Sequence, residues 1–165
     1  MIITFTGHRD VPTEKTEQIR SRLRQVIGEL ILEGADVFIC GGAVGFDMLA
    51  EEEILRYRAE GQSFRFFILQ FSPDYDRFWS DEQKERMKDI VSRSDGIRYL
   101  FDSYHRGAPL IRDREMASHA DVLVCWLEKE SGGTYETVKY ALKSGKKVIN
   151  LSEKQDFYTQ ERFEL

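Results

Sequence analysis

A Rossmann-like three-layer α/β sandwich with a mostly parallel sheet is the fold this sequence predicts, on three observations. Strand-like and helix-like segments alternate along the chain. The helical segments are long enough to carry the chain back, by right-handed crossovers, to the start of another parallel strand. The strand-like runs, such as "DVFIC" and "DVLVCW", are apolar almost without a break, as expected when helices cover both faces of a sheet.

The elements follow in order. Residues 2–6 form a β-rich run ending at Gly7. From Glu14 to Glu33 the apolar residues Ile19, Leu23, Val26, Ile27, Leu30 and Ile31 fall on one helical stripe. Thr13 is placed to cap that helix, Glu14 and Glu17 suit its positive end, and Gly34 ends it. Residues 36–40 are a second strand, stopped by Gly41-Gly42, and a helix over 46–60 follows, with Phe46, Leu49, Ala50, Ile54 and Tyr57 on one face and Gly61 after it. Residues 65–71 are a third strand, broken by Ser72-Pro73. A charged surface helix over 81–94 is held by Met87, Ile90 and Val91. A fourth strand at 97–101, a loop at 104–109 and a short helix at 110–119 come next. The fifth strand is 121–127, the glycine loop is 131–134, a helix runs to Ser144 and Gly145, and the last strand is 147–151. The remainder, 152–165, is a polar tail interspersed with Phe157, Tyr158 and Phe163.

The 165 residues fit one domain spanning 1–165. A chain of this size hides roughly 70% of its unfolded surface, enough to fold without a disulfide or a metal. Cys40 and Cys125 both sit in strand-like apolar runs and read as core packing. There is no CxxC pair or Cys/His cluster, so no metal is expected. The formal net charge is −5. General nucleic-acid binders draw most of their affinity from neutralising phosphates, so nucleic acid is not the expected partner. No basic-then-apolar leader precedes the first strand and no run nears the roughly 20 apolar residues of a membrane span. The cytoplasm is the expected location, with no membrane partner.

In a parallel sheet the strand C-termini share one edge, and ligands bind there. Gly7-His8-Arg9 follow the first strand, Gly41-Gly42-Ala43-Val44-Gly45-Phe46-Asp47 the second, and Ser131-Gly132-Gly133-Thr134 come after the fifth. Two of these stretches run straight into a helix N-terminus, where free N–H groups and the helix dipole favour an anion. Arg112 and Arg114 lie in "LIRDREMA"; two positions apart on a helix they cannot share a face, so at most one points into the pocket. An arginine fork there suits phosphate oxygens. Asp47, one turn into a phosphate cradle, would repel phosphate; it fits better as the acceptor for a ribose hydroxyl or a loop N–H, or as an acid steadying its own helix N-terminus. Tyr75, Phe78 and Trp79 after the third strand either pack over the sheet end or stack a base. There is no GxxxxGK[ST], no GxGxxG after the first strand and no GxSxG elbow, so P-loop, ordinary NAD and α/β-hydrolase chemistry are not indicated. No cofactor is expected.

"TFTGHR", "CGGAVGFDMLAEE", "RDREM…ADVLVCW" and "SGGTYETVKYALKSGKKVI", in this order, resemble the SLOG superfamily, which joins the DprA/Smf and LOG proteins. Within it the chain is most similar to the small YpsA/YoqJ-like bacterial branch, often carried on prophages. The resemblance covers Ile3 to about Leu151. It implies a nucleotide or nucleotide-derived ligand, ADP-ribose-like or a nucleoside phosphate, and leaves a homodimer open. Gly41, Gly42, Gly45 and Asp47 match the first loop of the superfamily. Gly133-Thr134 match the Gly-Thr of the LOG signature GGxGTxxE. LOG members release a base from its ribose monophosphate, but the glutamate position of that signature is Thr137 here, with Glu136 one place early. "RDREMA" resembles the RNRxxA segment of DprA, where arginine helps hold single-stranded DNA. The resemblance therefore leaves a phosphoribohydrolase and a single-stranded DNA binder as alternatives to a binding or sensing domain.

Overall fold

The computed structural model describes residues 1–153. Its single sheet has six parallel strands in the order β4-β3-β2-β1-β5-β6. The strands are β1 (Ile2–Gly7), β2 (Val37–Cys40), β3 (Arg65–Gln70), β4 (Gly96–Tyr99), β5 (Val122–Trp126) and β6 (Lys147–Asn150), and the helices are α1 (Thr16–Leu32), α2 (Phe46–Ala59), α3 (Asp81–Arg93), α4 (Ala108–His119) and α5 (Gly132–Lys143). The predicted three-layer sandwich is thus the observed one.

Strand alternation divides the core in two, because successive side chains point to opposite faces. Ile3 and Phe5 of β1 and Val122, Val124 and Trp126 of β5 join the cluster under α1, α2 and α3. Leu123, Cys125 and Leu127 join the smaller cluster under α5, with Ala117 of α4. Both cysteines are buried and free, as the sequence suggests. After β1 the chain crosses in one direction along the sheet, and after β5 in the other. The gap between the carboxyl ends of β1 and β5 is therefore the topological switch point, where open α/β sheets take their ligands.

Several expectations shift on contact with the structure. Thr13 does not cap α1: residues Thr13–Lys15 form a 3-10 turn, Pro12 O accepts the Lys15 N–H (2.9 Å), and no side chain caps the helix that starts at Thr16. The helix after the fourth strand begins at Ala108, with Pro109 in its first turn, where a missing N–H costs nothing. β4 is one residue earlier at its start and two shorter at its end than the 97–101 run. The largest difference is α2. A one-faced helix was expected, yet Asp47, Glu51 and Glu53 are buried along with its apolar residues. The cause is that α2 lies against α1, α3, β1 and β2 at once. α3 is the surface helix predicted, closed by a capping box between Ser80 and Gln83. At the C-terminal end Leu151 and Ser152 are buried beside β5 and β6; Phe157, Tyr158 and Phe163 lie outside the described residues. Among the described residues no helix is long and apolar enough to cross a membrane.

Candidate functional site

A cavity of about 780 Å³ opens at the switch point, within the range of small-molecule sites. β1 contributes Gly7, with His8 and Arg9 just beyond it; the stretch after β2 contributes Ala43 and Asp47; α4 contributes Arg112; and the start of α5 contributes Gly133 and Thr134. Gly41, Gly42, Gly45, Ser131 and Gly132 are not on the cavity wall.

The first glycine loop is closed by the protein's own groups. Arg112 donates from Nη1 to the Gly41 carbonyl, Gln70 Nε2 donates to the Gly42 carbonyl (2.7 Å), the Ala43 N–H donates to Asp47 Oδ2 (3.2 Å), and the Phe46 N–H donates to the His8 carbonyl (3.2 Å). A methyl group on Gly41 would lie 2.9 Å from the Arg112 guanidinium carbon, and one on Gly45 would meet the Arg9 carbonyl oxygen at 2.2 Å, at a φ of 82°. The close approach these glycines permit is therefore to Arg112 and to the β1 crossing. Gly7 has the same origin: a methyl there would meet the Phe46 ring at 2.3 Å.

Arg112 is only 4% exposed. Besides Gly41 it reaches Gln70 Oε1 (3.0 Å), and from Nε it donates to Asp113 Oδ1 (2.6 Å). Arg114 instead lies exposed over the Tyr140 ring (5.9 Å), so one arginine of the pair turns inward, as the helical spacing requires. Gln70, 1% exposed, is a member of the site that sequence reasoning missed. Its Oε1 also accepts the Phe71 N–H (3.0 Å), so one amide braces the Gly42 carbonyl, the end of β3 and Arg112 together. The available signal was a glutamine closing the run "RFFILQ" at the ligand edge.

The carboxyls along α2 are electrostatically unusual. Burial lifts Asp47 to about 7, against the pull of Arg112, so near neutral pH it exchanges its proton. Glu51 sits one turn behind it, 0% exposed, and neither of its oxygens has a hydrogen-bond partner among the described residues. Burial pushes it well above the usual carboxylate range and the charge of Asp47 adds to that, while the Gly42 backbone N–H and the charge of Arg112 pull it back down. Burial also raises Asp113, which Arg112 pulls back down.

The second glycine loop is different. Ser131 is extended and α5 starts at Gly132, so Gly133 and Thr134 occupy its first turn. Nothing lies within 4 Å of a methyl built on Gly132 or Gly133. Lys129 and Arg9 are exposed and line the same cavity. His8 ties the two strand ends together: its Nε2 accepts the Glu128 N–H (2.9 Å), which leaves the proton of the neutral ring on Nδ1. Burial first, then the charge of Lys129, holds its pKa below the ordinary histidine value. Thr137, at the LOG glutamate position, is buried and donates to the Gly133 carbonyl (2.7 Å). Glu136 pairs with Lys139 (3.4 Å) and is not on the cavity wall.

The opposite wall is aromatic. Phe71, Tyr75, Phe78 and Trp79 come from the end of β3 and the segment after it, and Tyr104 from the loop before α4. Tyr75 and Trp79 pack edge to face (5.3 Å) against the main core, which is the packing role anticipated for them. Phe78 is 87% exposed and does not share it. His105 and Arg106 are exposed and off the wall; His105 rests on Phe101 (4.3 Å). Among the described residues no three His, Cys, Asp or Glu side chains gather as a metal set.

A UPF0398 protein of Brevibacillus brevis is 21% identical over 118 residues, 70% of this chain, and the chain spans 63% of that relative's length. Among solved structures, DNA processing protein A of Helicobacter pylori superposes with a TM-score of 0.65 at 18% identity, covering 99% of this chain and 78% of that one. The molybdenum cofactor carrier protein of Chlamydomonas reinhardtii superposes with a TM-score of 0.53 at 17% identity, covering 89% and 73%. At these identities the likeness is one of fold. The profile of the YpsA family, described as the YspA SLOG family, matches residues 5–159, nearly the whole chain, and the protein therefore belongs to that branch of the SLOG superfamily.

Proposed function

We propose that this protein binds a nucleotide or nucleotide-derived ligand, a nucleoside phosphate or an ADP-ribose-like molecule, across the β1–β5 switch point. The observation that carries this reading is the open start of α5. Gly133 and Thr134 stand on the cavity wall, and the exposed cations Arg9 and Lys129 line the same cavity. An anion at a helix N-terminus gains about 0.3–1 kcal/mol, and up to roughly 2 when partly buried. Asp47 also lines the cavity, and its carboxyl suits a ribose hydroxyl. Arg112 acts indirectly, by holding the Gly41 loop.

The Helicobacter pylori neighbour is described as binding single-stranded DNA and the Chlamydomonas neighbour as a carrier of molybdenum cofactor. A small nucleotide fits this chain better than a strand, because a net charge of −5 opposes a polyanion while a mononucleotide needs only one or two cations. Hydrolysis of nucleoside monophosphates is expected to be weak or absent, since Thr137 carries no carboxylate and Glu136 is not on the cavity wall. A thermal-shift series with AMP, ADP and ADP-ribose tests the reading. At 100 times its dissociation constant a ligand adds about 2.7 kcal/mol, a shift of several degrees for a domain of this size. No shift with any of the three at millimolar concentration would overturn it.

A further inference from the structure

We propose that Phe78 and Tyr104 form a stacking platform for the ligand's base, and that the ligand is a nucleoside diphosphate or a diphosphate ester, laid with its base on these rings and its phosphates at the start of α5. This rests on the nucleotide reading above and specifies it.

Three observations carry the platform. First, Phe78 and Tyr104 both line the cavity and are 87% and 47% exposed. Their aromatic neighbours are already engaged: Tyr75 packs on Trp79 and lies stacked with Tyr99 (6.5 Å). Second, both rings already hold a flat, delocalised group. The Arg77 guanidinium lies over Phe78 at 4.6 Å and over Tyr104 at 6.0 Å. A ring face that accepts a guanidinium accepts a nucleobase by the same stacking. Third, Tyr104 is held in place although its loop is exposed. Its N–H donates to Asp74 (3.1 Å), whose carboxylate also accepts the Ser72 hydroxyl, and its ring meets Phe71 edge-on at 5.9 Å. Asp74 thereby joins the segment after β3 to the loop before α4.

The span sets the ligand's length. Phe78 comes from the segment after β3 and Tyr104 from the loop after β4, whereas Arg9 follows β1, Lys129 follows β5 and Gly133 lies in the first turn of α5. In this sheet β3 stands two strands from β1 and three from β5. At strand spacings near 4.8 Å that is roughly 10–14 Å. A nucleoside monophosphate is too short to keep its base on the rings and its phosphate at α5, and a diphosphate bridges the distance. Asp47, which follows β2, lies beneath the middle of the ligand, at its ribose.

Calorimetric titration of the wild type and of the Phe78→Ala/Tyr104→Ala double variant tests this, with ADP, AMP, ribose 5-phosphate and a short deoxyadenosine oligonucleotide as probes. Both side chains sit on the rim, and an unchanged thermal midpoint would verify that the variant is folded. The wild type should bind ADP more tightly than AMP. The double variant should lose about tenfold or more for ADP and stay within twofold of the wild type for ribose 5-phosphate. Wild-type binding of ADP that survives in the double variant overturns the platform and leaves the nucleotide reading standing. Failure of the wild type to bind any probe overturns both. An oligonucleotide bound more tightly than ADP, and lost in the double variant, would keep the platform but overturn its assignment to a free diphosphate.

Discussion

Residues 41–45 and residues 131–134 both sit at the carboxyl edge of the sheet and both lead into a helix, yet the chain uses them in opposite ways. Around the first, Arg112 and Gln70 take the two glycine carbonyls, Asp47 takes the Ala43 N–H, and the backbone of Arg9 fills the space beside Gly45. Around the second, a methyl on either glycine meets nothing within 4 Å, and Gly133 and Thr134 of the first turn of α5 line the cavity, as do the exposed cations Arg9 and Lys129. A glycine in a sequence announces that something comes close or that the backbone bends. It does not say whether the approaching group is a ligand or the protein itself. Here the first loop is a braced corner of the scaffold and the second is the open end of the site.

Breaking the brace should give the largest effect. Arg112→Ala removes a buried cation from Gly41, Gln70 and Asp113 at once. It should cost about 3–5 kcal/mol, as when one partner of a buried ion pair is deleted, read by urea denaturation. A loss near 1 kcal/mol or less would mean the first loop does not depend on the brace.

The next effect is on pH. Asp47 lies near 7 in the fold against an ordinary 3.8, so the folded state holds this proton more firmly than the unfolded chain does. Its contribution is therefore fully present below about pH 4 and is lost as pH rises through about 7. Asp47→Asn keeps an acceptor for the Ala43 N–H and cannot ionise. Its stability relative to the wild type should increase from pH 4 to pH 8 by a few kcal/mol. A constant difference across that range would show that Asp47 is not desolvated by the braced loop.

The smallest stability effect is expected at the open loop, and it sharpens the contrast. Gly133→Ala should change unfolding free energy by no more than about 1 kcal/mol, in the stabilising direction, because alanine suits a helix better than glycine. Gly45→Ala, at a positive φ and against the Arg9 carbonyl, should destabilise clearly. Equal losses at both positions would erase the distinction between the loops.

Most of the sheet was legible because β1, β2, β3 and β5 are largely apolar runs between turn residues, whereas β4 (GIRY) is half exposed and its bounds shifted; the inward turn of one of the two arginines followed from helical spacing alone. Other features depended on the neighbours. Asp47, Glu51 and Glu53 look like the polar face of a surface helix, and only the packing of α1, α3, β1 and β2 against α2 buries them. Gln70 looks like an ordinary strand end until β3 is set two places from β1, with α4 arriving from the far side of the sheet. Phe78, Tyr75 and Trp79 are alike in sequence, and the structure divides them: two pack, and one stands in solvent.

In the proposed complex the ligand's phosphates meet α5 and not the Gly41 loop. Backbone amide resonances followed by two-dimensional NMR during a titration with ADP test it most directly. The Gly133 and Thr134 amides should shift strongly while those of Gly41 and Gly42 stay near their starting positions. Large shifts at Gly41 and Gly42, with Gly133 and Thr134 unmoved, would contradict it.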